Sequence, residues 1–181
     1  ELSAMLASGD VTVKSTAKAK DITIRDAVTW ASTHHLTLDA NRSISVGAAV
    51  SVEGTSALTL TTNHGSSGGT LSFPNKGYVT FLDTHSALTI NGQGYLLADS
   101  IELLAAIANV APGANIAIAK SLDLSDLQFA GPPIASPISV KFEGLGNTIS
   151  NLYIKSSGQA GMFSAMIGPL ENLHFTKARI T

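Results

Sequence analysis

The residues able to do chemistry are few and scattered. Solenoid glycosidases and lyases place two or three carboxylates on one outward strand face. Asp21 with Asp26, and Asp123 with Asp126, are the candidate aspartate pairs. Asp123 alternates with Leu122 and Leu124, so the spacing directs it outward. No third acid and no partnering Arg or Lys recurs at a fixed offset from it, and turn or surface roles account for these side chains more simply. The histidines are His34, His35, His64, His85 and His174. Neighbours on a strand point to opposite faces, so His34 and His35 cannot chelate together. His64 and His85 are separated by an interval that would stack them on neighbouring turns of a repeat. With no matched third ligand, no metal is expected, and no cofactor.

Other chemistries lack their motifs. There is no Gly-x-Ser-x-Gly nucleophile turn and no phosphate loop ending in Gly-Lys-Ser/Thr. The Gly-rich stretch from Asn63 to Gly69 has no helix after it and reads as a loop. Asn41-Arg42-Ser43 is the one Asn-x-Ser/Thr sequon, too little to imply glycosylation at Asn41. Trp30 follows Thr29 and reads as core or corner packing rather than a sugar platform. Ice binding would need paired Thr-x-Thr rows, and here Thr stands mostly singly on each strand. The expectation is therefore no catalytic, cofactor-binding or metal residues, and no enzyme.

The elements that would position side chains are short and repeated. An apolar, Thr or Ser, apolar triplet recurs as Val11-Thr12-Val13, Ile22-Thr23-Ile24, Val28-Thr29-Trp30, Leu36-Thr37-Leu38, Ile44-Ser45-Val46, Val50-Ser51-Val52, Leu58-Thr59-Leu60, Leu71-Ser72-Phe73, Val79-Thr80-Phe81 and Leu88-Thr89-Ile90. Each triplet places two apolar side chains on one strand face and a hydroxyl on the other. Leu36, Leu58 and Val79 open triplets at almost equal intervals. Such a period implies one unit stacked on itself, with Leu36, Leu38, Leu58, Leu60, Val79 and Phe81 inside and Thr37, Thr59 and Thr80 outside. About eight coils of roughly 20–25 residues are expected. Turn signals separate the triplets, Asn91-Gly92-Gln93-Gly94 among them. The fold class is all-β: a right-handed parallel β-helix, or β-solenoid, with one short inserted α-helix. Handedness follows the right-handed bias of parallel crossovers.

Composition agrees. Of 181 residues, 38 are Ser or Thr, while charged residues are 13%, about half the usual share of roughly 25%. Hydroxyls thus wet the outer faces. The net charge of −2 gives no electrostatic case for nucleic acid or an anionic membrane. Aromatics, at 6%, are too sparse for base stacking. Cysteine is absent, which excludes disulfides and thiolate metal sites and suits passage through an oxidising periplasm. No stretch has the length of a transmembrane helix. The chain opens and closes inside its own pattern, as a continuous fragment of a longer polypeptide would.

Two segments are expected: coils over 1–98, then 99–181 with a helix-containing insertion and further coils. Asp99-Ser100 can cap a helix over Ile101 to Asn109, with Leu103, Leu104 and Ile107 on one face and Pro112-Gly113 ending it. Strands resume at Ile116-Ala117-Ile118, Leu122-Asp123-Leu124 and Ile138-Ser139-Val140. Next comes Phe142-Glu143-Gly144-Leu145-Gly146-Asn147-Thr148-Ile149-Ser150-Asn151-Leu152-Tyr153-Ile154, followed by Gly161-Met162-Phe163 and Leu170-Glu171-Asn172-Leu173-His174-Phe175. Asn151 and Asn172 each precede a leucine and lie one expected coil apart. Side-chain amides at matching turns can bond in a ladder.

This last segment resembles the GLUG motif of large secreted bacterial proteins: a Gly-Leu-Gly turn, a strand ending Ile-Ser-Asn-Leu, a Gly-Leu-Phe-type step and a second Asn-Leu strand. Met162 stands where Leu is usual, and Glu171 occupies the step before Asn172. The stretch from Tyr95 to Leu124 looks like the leader preceding that motif in filamentous-haemagglutinin-like exoproteins. Val28-Thr29-Trp30 and His35-Leu36-Thr37-Leu38-Asp39-Ala40 look like their stalk repeats. The resemblance implies a structural rod or adhesive segment of a secreted or surface-associated bacterial adhesin of the two-partner-secretion type. Its partners would be a host-cell or neighbouring-cell receptor or glycan and, for the full-length chain, an outer-membrane secretion partner. The alternatives are a carbohydrate-active solenoid enzyme (polysaccharide lyase or glycosidase) and a glycan-binding module.

Overall fold

A computed structural model describes residues 1–111, 113–138 and 140–181. The chain is a parallel β-solenoid of about 6 turns with two helices. It divides into two compact units, Glu1–Leu97 and Ala98–Thr181.

Unit 1 begins with α1 (Leu2–Leu6), followed by β1 (Val11–Lys14), β2 (Ile22–Ile24), β3 (Val28–Trp30), β4 (Leu36–Asp39), β5 (Ile44–Val46), β6 (Ala49–Val52), β7 (Ala57–Thr61), β8 (Leu71–Ser72), β9 (Tyr78–Phe81), β10 (Ala87–Ile90) and β11 (Gln93–Ala98). Three parallel sheets result. Val11, Leu36, Leu58 and Leu88 are in register along β1, β4, β7 and β10. Ile22, Ile44 and Leu71 align along β2, β5 and β8. Val28, Val50 and Val79 align along β3, β6 and β9.

Leu36, Leu38, Leu58, Leu60, Val79 and Phe81 are all buried, and Thr37, Thr59 and Thr80 are half-buried on the opposite face. The faces follow the period of two. The stacking order does not follow the interval between Leu58 and Val79. Val79-Thr80-Phe81 stacks on Val50-Ser51-Val52, and Leu88-Thr89-Ile90 takes the place on Leu58-Thr59-Leu60. The corner from β7 to β8 carries the loop Asn63 to Gly69. That loop makes the coil from Leu58 to Leu88 longer than the coil from Leu36 to Leu58. Longer coils also give about 6 turns instead of eight.

Two further departures have local causes. Residues 2–6 form a helix rather than part of a strand run. They do so to cover the first coil: α1 packs against β1 and β3, with Leu6 fully buried. Ser3 Oγ accepts the Thr29 N–H at 3.0 Å, and Ser32 Oγ donates to the Leu6 carbonyl at 2.6 Å. The second departure is β11, which pairs antiparallel to β10. Asn91 and Gly92 join them with φ of 50° and 76°, the left-handed pair that a two-residue hairpin requires.

Gly77 shows how tightly the corners stack. A Cβ there would overlap the Val46 carbonyl oxygen, a backbone atom that cannot swing aside. Gly77→Ala is expected to destabilise the chain by about 3 kcal/mol, read as a lowered urea midpoint. An unchanged midpoint would contradict the observed coil spacing.

Unit 2 contains α2 (Ile101–Val110), β12 (Asn115–Ile118), β13 (Leu122–Asp123), β14 (Phe142–Glu143), β15 (Thr148–Ser150), β16 (Tyr153–Ile154), β17 (Leu170–Glu171), β18 (His174–Thr176) and β19 (Arg179–Ile180). Ser100 caps α2, its Oγ accepting the Leu103 N–H at 3.1 Å. The buried face of α2 is Ile101, Leu104 and Ala108, with Leu103 and Ile107 at its margin. Of the expected Pro112-Gly113 stop and Ile138-Ser139-Val140 strand, Pro112 and Ser139 lie outside the described residues. Ile138 bridges to Met166. Parallel sheets β12-β14-β17, β13-β15-β18 and β16-β19 enclose a core that includes Ile116, Phe142, Ile149 and Ile154. Phe142 and Phe163 meet edge to face at 5.3 Å.

Candidate functional site

Asp10, Asp21, Asp83 and Asp123 each bond a neighbouring coil. Asp10 Oδ1 accepts the His35 N–H at 2.8 Å. Asp21 accepts the Ser43 N–H at 3.0 Å and both ends of the Arg42 guanidinium, at 2.9 and 2.5 Å. Asp83 accepts from the Thr55 hydroxyl and from the His85 N–H. Asp123 Oδ1 accepts from Asn151 Nδ2 at 2.7 Å and from the Ser125 N–H at 3.0 Å. Donors favour the charged form. The Arg42 guanidinium first of all lowers Asp21 to about 2, and the Thr55 hydroxyl first of all lowers Asp83 to about 2. Asn151 lowers Asp123 in the same sense. These carboxylates are fixed anions, suited to holding backbone and unsuited to donating a proton. Asp123 points outward as the alternation requires, and Asp126 lies exposed in the turn after it.

Glu143 behaves differently. Next to the inward Phe142 it reads by alternation as an outward acid, yet it is 2% exposed. β14 is short and runs straight into a turn in which Leu145 and Gly146 have φ of 53° and 76°. The side chain folds back over that turn. Its Oε1 accepts the Leu145 N–H at 2.9 Å, and its Oε2 accepts from Asn172 Nδ2 at 3.2 Å, one coil away. Burial raises its pKa to about 7 against the pull of these two bonds; Glu171 adds to the rise and Lys141 opposes it. A nearly neutral buried carboxyl is the kind of group that general acid catalysis uses, but here both oxygens are occupied by the protein's own donors.

Asn147 completes the turn from below. Its Nδ2 donates to the Gly144 and Ile118 carbonyls, and its backbone carbonyl accepts the His174 N–H at 3.1 Å. Asn151 and Asn172 form no ladder. They occupy different corners, both with left-handed backbone, φ 58° and 52°, and their amides reach Asp123 and Glu143 respectively. One coil here carries Phe142 onto Leu170 and Ile149 onto Phe175. Both advances exceed the interval from Asn151 to Asn172, which therefore joins unlike positions.

The histidines are likewise dispersed. His64 Nδ1 lies 3.1 Å from Asp39, and its Nε2 lies 3.3 Å from Lys14 Nζ, which also pairs with Asp39 at 3.0 Å. His85 pairs with Asp83 at 2.9 Å and His34 with Asp10 at 3.4 Å. His64 and His85 thus face different partners and do not stack. Among the described residues no group of three or more His, Asp or Glu is placed to hold a metal ion, and no helix is long and apolar enough to cross a membrane. Trp30 is buried, its Nε1 donating to the His34 carbonyl and Ser56 Oγ at 2.9 Å each. Asn41 is half-buried; its N–H donates to Ser15 Oγ and its carbonyl accepts from Ser66 Oγ. The loop after it is closed by Asn63, whose amide bonds both the N–H and the carbonyl of Gly69.

One feature escaped the spacing of acids in the sequence. A depression of about 240 Å³ in unit 2 is lined by Asp99, Glu102, Lys120 and Asp123 among others. Three carboxylates, from the approach to α2, from α2 itself and from β13, therefore share one surface hollow. Asp99 pairs with Lys120 at 3.5 Å, and Asp123 is held ionised. Only the tertiary placement of α2 brings Asp99 and Glu102 there.

The fold and corners define a parallel β-solenoid whose ionic groups join coil to coil. No protein-family model matches the chain, and no curated protein or solved structure matches it.

Proposed function

We propose that the chain is a structural rod or adhesive segment of a large secreted, surface-associated bacterial exoprotein of the filamentous-haemagglutinin-like type. The observation that carries this reading is the use of the carboxylates. Asp10, Asp21, Asp83 and Asp123 each tie one coil to the next, and the buried Glu143 closes a corner in the motif that resembles GLUG. Such an arrangement stiffens a stack of coils that touch only their neighbours. In this role the segment displays binding regions for a host-cell or neighbouring-cell receptor or glycan, and the full-length chain leaves the cell through an outer-membrane partner.

The hollow lined by Asp99, Glu102 and Asp123 favours a second reading, a carbohydrate-active solenoid enzyme. Against it, Asp123 is already engaged by Asn151 Nδ2 and the Ser125 N–H, and Asp99 by Lys120, so two of the three carboxylates serve the chain's own contacts. Incubation with a panel of plant, bacterial and host polysaccharides separates the two. The rod reading expects no reducing sugar and no unsaturated product. Turnover that is lost in Asp123→Asn or Glu102→Gln, with Asp126→Asn as the control, would overturn it in favour of the enzyme.

A further inference from the structure

Asn91-Gly92 is the one Asn-Gly step in the sequence, and it forms the turn between β10 and β11. Asn-Gly is the step at which a chain deamidates most readily. Glycine has no side chain to shield its backbone nitrogen, so that nitrogen can attack the asparagine amide before it. Both residues are exposed, and no carbonyl takes the Gly92 N–H among the described residues. The attacking atom is therefore free, but its target is held. Asn91 Oδ1 accepts the Thr62 N–H at 2.7 Å, and Asn91 Nδ2 donates to Thr62 Oγ1 at 3.1 Å, one coil away. Thr62 is itself buried. The Asn91 N–H donates to the Leu60 carbonyl at 2.9 Å, so backbone and side chain are both fixed to the neighbouring coil.

We infer that Asn91 is a deamidation site locked by Thr62: it stays intact while the hairpin is closed and converts when the hairpin opens. In the open state the Gly92 nitrogen bonds to Asn91 Cγ. The bond from Cγ to Nδ2 breaks, and Nδ2 leaves as ammonia with the proton from Gly92. Water then opens the resulting succinimide at either carbonyl. One opening leaves aspartate at position 91. The other routes the main chain through the side-chain carbon and leaves isoaspartate. The aspartate product fits the site, because its two oxygens can accept from the Thr62 N–H and hydroxyl. Isoaspartate does not fit. It lengthens a two-residue turn that joins Ile90 to Gln93 and needs left-handed backbone at both positions. Conversion to isoaspartate is therefore one-way and records past opening of the hairpin. The inference does not depend on the proposed role.

Incubation of the whole chain at mildly alkaline pH, folded and in urea, tests it by mass spectrometry of the peptide that spans residue 91. In urea that peptide should gain the mass difference between amide and acid, as aspartate and isoaspartate together. In the folded chain the gain should be slower by roughly ten-fold or more, because conversion follows the population of the open state. Thr62→Val keeps the shape and removes the hydroxyl partner of Asn91. It should speed the folded reaction roughly five-fold and leave the rate in urea unchanged. After refolding, isoaspartate chains should exchange the Gln93 amide faster than aspartate chains do. Equal rates in folded and unfolded wild type would overturn the inference, and that comparison needs no variant to fold. A residue 91 that stays unchanged in urea would overturn it too. So would a folded Thr62→Val that converts no faster than wild type, because something other than Thr62 would then hold the amide. Isoaspartate chains that close the hairpin as wild type does would overturn the one-way step.

Discussion

Leu60→Asp is expected to lower the melting temperature by roughly 10 °C or more, whereas Thr59→Asp, one residue away, should move it by no more than about 2 °C. Leu60 is 1% exposed and lies between Leu38 and Ile90 in the stacked sheet of unit 1. A carboxylate there would be desolvated with no partner, at a cost of roughly 4 kcal/mol or more. Thr59 lies between Thr37 and Thr89 on the outer side, where water still reaches an added charge. Thermal unfolding followed by circular dichroism measures both. Equal shifts would contradict the assignment of faces.

That contrast marks what the sequence carries. Alternation decides which side chain points inward, because it is a property of three consecutive residues. It places Leu60 and Phe81 inside and Thr59 outside, and Ser100 announces α2 by its type alone. Which triplet stacks on which is a different matter. It depends on the lengths of the corners between strands. The long corner after β7 shifts Val79 onto the sheet of Val50, although its interval from Leu58 nearly equals that from Leu36 to Leu58. Helix α1 carries no side-chain cap and forms for the surface it covers, so its local sequence does not reveal it. Asn91-Gly92 is legible as a turn, since few dipeptides signal a two-residue turn as strongly. The antiparallel return of β11 is not, because the triplets before it all stack in parallel. The hollow beside α2 is hidden for a similar reason: it depends on how a helix docks. Glu143 lies between these cases. Alternation directs it outward, but in the Gly-Leu-Gly turn after it the N–H groups of Gly144 and Gly146 bond the next coil's carbonyls and that of Leu145 is left to the Glu143 carboxyl.

The second large effect is a stability that falls as pH rises. Glu143 has its pKa raised from 4.5 in an unconstrained chain to about 7 in the fold. Below the lower value both states are protonated and the buried carboxyl costs nothing extra. Between the two values the unfolded chain releases the proton and the folded one keeps it, so stability drops with each step in pH. Above the upper value both are ionised and the full penalty of the buried charge remains. Wild type compared with Glu143→Gln isolates this group from every other titration, histidines included. The advantage of wild type over the variant should shrink by about 2 kcal/mol between pH 5 and pH 8, measured by urea unfolding. The aspartates act in the opposite direction and in another window: Asp21 and Asp83, lowered to about 2, lose their contribution only as pH falls below the usual carboxylate range. Hydrogen exchange should place the Glu143 effect in the amides of Leu145 and of β17 and β18, because the carboxyl holds Leu145 and Asn172 directly. A difference between wild type and Glu143→Gln that stays constant across the range would mean that the carboxyl is solvated and does not close the corner. If instead the variant loses protection in β17 and β18 equally at both pH values, the hydrogen bonds matter and the charge does not.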